Sequence, residues 1–278
     1  MLTKQQRALQ AMTAFSRFRC PVCLSPMAVS GAALCCSRGH SYDVSRKGTV
    51  HLHHTTVDNQ YDRALFEARR AVFEAGYYAP VAQAIRETLA PLAPTAILDA
   101  GCGEGYYLSQ MKDSFPSCVM AGIDLAKAGI ALSAGRPEEI LWCVADLSRL
   151  PFQDNVFDAV MNILTPANYE EFSRVLRPGG HLLKIMPGKE YLEEIRKALP
   201  HTEDSYDEDR VTAHLKKHMK LISQQRIFYR MDLSSQAFQN FTIMTPLTTA
   251  LSESEREKLV QSVPSNITID LQLVVCTM

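Results

Sequence analysis

The sequence predicts an α/β fold, a parallel sheet wrapped by crossover helices, with a small metal-held module at its N-terminus. Three observations carry this. Short apolar strands alternate with helical stretches between Ala96 and Met186. A glycine-rich turn follows the first of those strands directly. Four of the eight cysteines, Cys20, Cys23, Cys35 and Cys36, crowd into seventeen positions with His40 close behind.

A chain of 278 residues can bury one good core and still carry an appended module. The expected division is an N-terminal helix and zinc-binding module over 1–60, then the sheet domain over 61–278. The net charge of −1 excludes a polycation that coats nucleic acid indiscriminately, so any RNA contact must come from local patches. No window approaches the roughly twenty apolar residues of a membrane helix. A soluble, cytoplasmic protein is expected.

Along the chain, Leu2, Leu9, Met12, Phe15 and Phe18 fall at loosely helical spacing and predict a short N-terminal helix. Residues 19–54 are too poor in apolar runs to build an ordinary core. A helix runs from Asp62 towards Gly76, which stops it as a C-terminal cap does, and a second runs from Pro80 to about Leu92. The strands expected next are Ala96–Asp99, Cys118–Asp124, Ile140–Ala145, Val156–Asn162 and His181–Met186, with helices in between. The polar stretch His201–Arg210 reads as a surface loop. A strand over Leu221–Asp232, helices around Ser235–Phe241 and Glu253–Ser262, and a last, reversed strand over Asn266–Cys276 complete the sheet edge.

The cysteine cluster has the spacing C-x2-C-x12-C-x3-H, from Cys20 and Cys23 to Cys36 and His40. A two-residue knuckle lets two thiolates converge on one ion. Four ligands without an open position describe a structural tetrahedral zinc, whose binding energy replaces the missing core. Cys35 is the alternative to Cys36, which is preferred for its three-residue gap to His40. His51, His53 and His54 read as a turn or packing edge.

In Gly101-Cys102-Gly103-Glu104-Gly105 the backbone can approach a ligand that a Cβ would exclude, and the turn presents the next helix N-terminus. The spacing G-x-G-x-G differs from the dinucleotide pattern G-x-G-x-x-G, and no nicotinamide-binding half follows. S-adenosylmethionine fits better. Asp124 ends the next strand about twenty positions on, where a carboxylate can take both ribose hydroxyls. Asp146, after the third strand, can accept from the adenine amino group while its neighbours, Leu147 among them, wall the ring.

Asp154–Val160 and Leu176-Arg177-Pro178-Gly179-Gly180 resemble the approach to strand four and the turn before strand five in class I methyltransferases. Together with the cysteine knuckles, Glu67-Ala68-Arg69-Arg70, Ala75–Pro80 and Leu98–Tyr107, they make the chain resemble the bacterial 23S rRNA (guanine-N1)-methyltransferases, the rRNA large subunit methyltransferase A family. The likeness runs from Cys20 to about Leu199. It implies a class I methyltransferase Rossmann-like sheet with a small N-terminal zinc-binding domain, and methyl transfer from S-adenosylmethionine to a guanosine N1 in a 23S rRNA hairpin. It implies Cys20, Cys23, Cys36 and His40 as zinc ligands, and cofactor contacts from Tyr78, Tyr107 and Leu108. On physical grounds alone Tyr78 would be a packing aromatic. Dimerisation is a family expectation. The loop Asn162–Asn168 is where the base should sit, its polar groups placed to read the guanine edge, and no residue identifies itself as the proton acceptor. The rival readings are a small-molecule methyltransferase and a non-catalytic zinc-bearing RNA-binding protein.

Overall fold

A computed structural model describes residues 2–53, 62–136, 139–199, 208–249 and 251–278. His54 and the segment 55–61 lie outside the described residues.

The chain opens with α1 (Lys4–Phe15), started by a capping box in which Thr3 accepts from the Gln6 amide and Gln6 reaches back to Thr3. A three-stranded antiparallel ribbon follows, β1 (Met27–Ser30), β2 (Ala33–Cys36) and β3 (Ser41–Asp43), then the short β4 (Thr49–His51). Helix α2 (Arg63–Glu74) starts on the Asp62 carboxylate, which accepts from the Leu65 amide at 2.9 Å, and stops before Gly76 at φ +86°. Helix α3 (Ala79–Leu89) leads into the alternating region: β5 (Ala96–Ala100), α4 (Tyr106–Lys112), β6 (Val119–Asp124), α5 (Lys127–Ser133), β7 (Leu141–Val144), β8 (Phe157–Ile163), α6 (Tyr169–Val175) and β9 (Leu176–Pro187). The tail adds α7 (Glu193–Ala198), α8 (Glu208–His218), β10 (Lys220–Asp232), α9 (Ser235–Met244), α10 (Glu253–Gln261) and β11 (Asn266–Thr277).

One eight-stranded sheet runs in the order β10-β11-β9-β8-β5-β6-β7-β4. From β4 to β9 the pairings are parallel, and β11 is antiparallel to both β9 and β10, the reversed strand expected. The eighth strand was not foreseen. Thr49, Val50 and His51 of the N-terminal module pair with Trp142, Cys143 and Val144, and the Leu52 amide extends the ladder to the Val144 carbonyl at 2.8 Å.

Three further expectations are corrected. Strand β9 starts at Leu176, so Arg177-Pro178-Gly179-Gly180 lies inside the strand, where the register against β8 shifts. Helix α8 takes up Glu208–Arg210, which had been read as loop; residues 200–207 lie outside the described residues. No helix joins β7 to β8. The N-terminal module occupies its place. The Arg19 amide donates to the Pro151 carbonyl at 3.0 Å, the Gln153 amide donates to the Arg17 carbonyl at 2.8 Å, and Phe18 bridges to Phe152. Phe15, Phe18, Phe152 and Phe157, all buried, form a cluster there, with Phe15 edge-on to Phe18 at 5.2 Å and Phe152 edge-on to Phe157 at 5.0 Å. Each such pair adds about 0.5–1.5 kcal/mol beyond its area burial.

The sheet therefore has two unlike faces. Alternation along β5 sends Ile97 into the core under α3 and α4, and Ala96, Leu98 and Ala100 into the core shared with α1 and the ribbon. Among the described residues no helix is long and apolar enough to cross a membrane.

Candidate active site and metal centre

In the ribbon, Cys20 and Cys23 sit on the knuckle before β1, Cys36 ends β2, and His40 follows the turn at Gly39. Their ligand atoms lie within 4.8 Å of one another. His40 Nδ1 is 3.3 Å from Cys36 Sγ and 3.6 Å from Cys20 Sγ, and Cys23 Sγ is 3.6 Å from Cys36 Sγ. These separations suit four donors around one zinc, with bonds of about 2.0–2.3 Å to a common centre. Hydrogen bonds from the Ser25 hydroxyl and amide hold the Cys23 thiol down, at about 6, which favours the thiolate a metal needs. Cys35 packs on the opposite side of β2, its sulfur against the Ser41 hydroxyl, so the choice between neighbouring cysteines falls to Cys36. His53 lies 3.7 Å from Asp146.

The glycine turn connects β5 to α4 at the C-terminal edge of the sheet, with Gly101, Gly103 and Gly105 all at positive φ. What lies against each glycine differs. A Cβ on Gly101 would meet the Thr165 side chain at 2.5 Å, one on Gly103 would touch Arg69 and Phe66 of α2, and one on Gly105 would run into the Trp142 indole at 2.5 Å. Gly105 thus serves packing under the turn, while Gly101 is closed over by the loop after β8 and Gly103 by α2. Glu104 is buried between Arg70 of α2, at 3.1 Å, and Arg136, clamping the turn to its cover.

Asp99, which sequence reasoning left out of the site, is 1% exposed at the end of β5. Neither carboxyl oxygen has a hydrogen-bond partner among the described residues, and burial, then the charge of Asp124, pushes its pKa up to about 8. The signal was available, as the residue is the acidic one preceding the turn. Asp124 behaves differently. Its Oδ2 accepts from the Gly103 amide and its Oδ1 from the Ala126 amide, both at 2.8 Å, bonds that oppose the upward push of burial. Each of its oxygens keeps a lone pair for a hydroxyl. The Tyr107 hydroxyl, on α4, is likewise buried and unpartnered among the described residues. A buried carboxyl without a partner is one that a bound cation would return to its charged form. S-adenosylmethionine, with an ammonium and a sulfonium, fits that need.

The other predicted contacts are distributed around this turn. Tyr78, at the start of α3, is wholly buried, with its hydroxyl 2.6 Å from that of Tyr191 and its ring edge-on to Phe73. Leu108 is fully buried in the core behind the turn. Asp146 and Leu147 follow β7; Asp146 Oδ1 accepts from the Ser148 amide at 2.7 Å. With Pro166, Ala167, Asn168, Tyr169 and the histidines of α8 they line a cavity of about 450 Å³.

The loop after β8 is held by a network that the sequence did not reveal. Lys184, 5% exposed in β9, donates to Asn162 Oδ1 and, at 2.6 Å, to the Thr165 carbonyl. Asn162 Nδ2 donates to the Ala100 carbonyl at 2.8 Å and the Pro166 carbonyl at 3.1 Å. Desolvation lowers the Lys184 pKa to about 8. The Asn162 amide is therefore spent on fixing the loop beside the glycine turn, and does not read an acceptor base. A lysine inside the apolar run Leu182–Met186 was the one hint.

The family description "RlmA, N-terminal", a zinc ribbon, matches residues 18–53, and "Methyltransferase domain" matches residues 97–180. The chain is 35% identical, over 94% of its length and 97% of the relative's, to YxjB of Bacillus subtilis (strain 168), provisionally assigned as a 23S rRNA (guanine-N1)-methyltransferase. It is 28% identical to the 23S rRNA (guanine(748)-N1)-methyltransferase of Streptomyces fradiae, over 93% of this chain and 95% of that one. Among solved structures, YcgJ of Bacillus subtilis shares the fold with a TM-score of 0.51 at 16% identity, over 70% of this chain and 96% of that one. A zinc ribbon joined strand to strand with a methyl-donor sheet, and a likeness running through both, place this chain in the 23S rRNA (guanine-N1)-methyltransferase family.

Proposed function

We propose that this chain transfers a methyl group from S-adenosylmethionine to N1 of a guanosine in a 23S rRNA hairpin, in the cytoplasm. One observation carries the reading: the likeness to the Bacillus relative covers 94% of the chain, ribbon and sheet domain alike.

In this reading the modules 1–60 and 61–278 divide the work. Cys20, Cys23, Cys36 and His40 hold one structural zinc. Gly101 and Gly103 offer backbone to the donor, Asp124 takes its ribose hydroxyls, and Asp146 and Leu147 take its adenine. Asp99 and Tyr107 face its charged methionyl end, with Tyr78 and Leu108 packing behind. When bound, S-adenosylmethionine supplies a sulfonium methyl open to in-line attack. The chain contributes position and exclusion of water, since Thr165, Phe66 and Arg69 close over the turn. Alignment of nucleophile and methyl can account for roughly 7–11 kcal/mol at best. The Lys184–Asn162 network keeps the acceptor loop rigid. Guanine N1 carries a proton at neutral pH, and Asn162–Asn168 contains no ionisable side chain, so a group outside that loop or a water takes it. The homodimer expected of the family belongs to the same reading, and light scattering tests it.

The test is nucleoside mass spectrometry after incubating the protein and S-adenosylmethionine with 23S rRNA from a strain lacking the gene. The expected product is 1-methylguanosine. Unmodified rRNA alongside label in a metabolite extract would overturn the rRNA assignment.

A further inference from the structure

The cavity of about 450 Å³ beside the acceptor loop is within the size range of ligand sites. Its inner wall is Asp146–Ser148, which follows β7, and its floor is Pro166–Glu170, the continuation of the acceptor loop into α6. Its outer wall comes from α8 and carries His214 and His218, both exposed. Those rings are not independent. His218 stacks on buried Tyr169 at 5.7 Å with the planes 25° apart, and His214 stands edge-on to His218 at 4.8 Å. His218, backed by the Tyr169 phenol, offers one ring face, and His214 stands across its edge. Lys217 is three residues from His214, on the same side of α8, and Lys216 and Lys217 are exposed in its last turn. The remaining polar lining is Asp146, Ser148, Asn168 and Glu170.

A ring face with Lys217 beside it and the Glu170 carboxylate on the floor, Asp146 being taken by the donor's adenine, matches one kind of guest. Planar bases stack on aromatic side chains, histidine included, whatever their sequence. Phosphates pair with the lysines, and carboxylates accept from base amino and imino groups. The cavity borders the acceptor loop, so a strand whose guanosine reached that loop would have a neighbouring nucleotide within reach.

We infer that the cavity between the acceptor loop and α8 is a second nucleotide subsite, which stacks an unpaired base flanking the target guanosine of the RNA on His218, with His214 against the base's edge. This rests on the rRNA reading above and deepens it. Splaying a flanking base out of the hairpin would fix the strand's direction and bring the target base into the acceptor loop.

The test compares wild type with His214→Ala/His218→Ala and with His214→Phe/His218→Phe. Affinity for transcribed 23S rRNA is measured by filter binding, and affinity for S-adenosylmethionine by calorimetry. The alanine pair should weaken RNA binding about 10-fold, as the loss of one stacked base does, and the phenylalanine pair should restore it. S-adenosylmethionine affinity should stay unchanged in both. Lys217→Ala should lower the salt slope of RNA binding by about one phosphate contact. RNA affinity unchanged in the alanine pair, with wild type binding, would overturn the subsite alone. A loss of S-adenosylmethionine affinity instead would reassign the wall to the donor's adenine and overturn it too. Wild type that binds no 23S rRNA would bring down the underlying reading.

Discussion

The two faces of the central sheet are covered in different ways. On one, α3, α4 and α5 each lie close in sequence to the strands they cover, and local connections supply the packing. On the other, the ground beside β7 and β8 is covered by α1 and the ribbon, which reach it from far away in the chain, as in the hydrogen bonds between Arg19 and Pro151 and between Gln153 and Arg17. The first face depends on helix and strand periodicity, the second on a metal. A sheet of this kind tolerates the loss of a crossover helix when a separately stabilised module stands in for it.

The comparison breaks most plainly on removing zinc. Structural zinc in small modules is worth about 10–16 kcal/mol. Chelation should unfold the ribbon, uncover Phe152 and Phe157, and lower the melting temperature more than any single substitution, with recovery on adding zinc back. Superimposable melts with and without chelator would show that the ribbon face stands without its metal. Next come two equal truncations, Phe152→Ala on the ribbon face and Phe238→Ala on the helical face. Both side chains are fully buried, so each should cost about 3–5 kcal/mol in denaturant unfolding. Only Phe152→Ala should also weaken zinc retention in a competition assay with a chromophoric chelator.

A smaller contrast lies in the glycines. Gly105→Ala sets a Cβ against Trp142 at a positive φ and should cost about 1–3 kcal/mol, while Gly39→Ala, at the same φ of +84° with nothing within 4 Å, should cost about 1 kcal/mol. Equal costs would mean that backbone strain rather than the indole decides at Gly105.

The last contrast lies on the helical face itself and shows only as a pH dependence. Asp99 has its pKa raised from 3.8 to about 8, so between those values the native chain holds a proton that the unfolded chain has lost. The stability this carboxyl contributes is present at low pH and declines as pH rises through that window. Asp99→Asn removes the dependence, leaving a buried amide in place of the charge. It should be more stable than wild type at pH 9 and no different near pH 4, while weakening S-adenosylmethionine binding. A melting difference independent of pH would sink this account of Asp99.

How legible each region was follows from the same contrast. The strands β5 to β8, the glycine turn, and the carboxylates at Asp124 and Asp146 rest on spacing within short stretches, and the structure matches that order closely. The four zinc donors were readable because C-x2-C and C-x3-H are local. The joining of β4 to β7 was not legible. It depends on Thr49–His51 meeting Trp142–Val144, a pairing across more than ninety residues with no local signature. For the same reason the missing helix between β7 and β8 was read as present, the general βαβ rule standing where a distant module had replaced it. Asn162 was misread because its amide faces a lysine on the next strand, and pairing between strands is invisible in the order of residues. The long tail strand β10 matches the expected Leu221–Asp232, and α8 was not read, since its Glu208–Arg210 start is as polar as any loop.

One consequence of β4 concerns the life of the chain rather than its chemistry. Strand β7 is buried along all four residues and would present an apolar, unpaired edge if β4 left it. An open edge of that kind templates pairing with other chains. The opposite edge, β10, guards itself with Lys220, Arg226 and Arg230. The β7 edge carries no such charges and relies on the ribbon, so a cell short of zinc would accumulate this protein as a self-associating species before it lost any residue of the methyl-donor site.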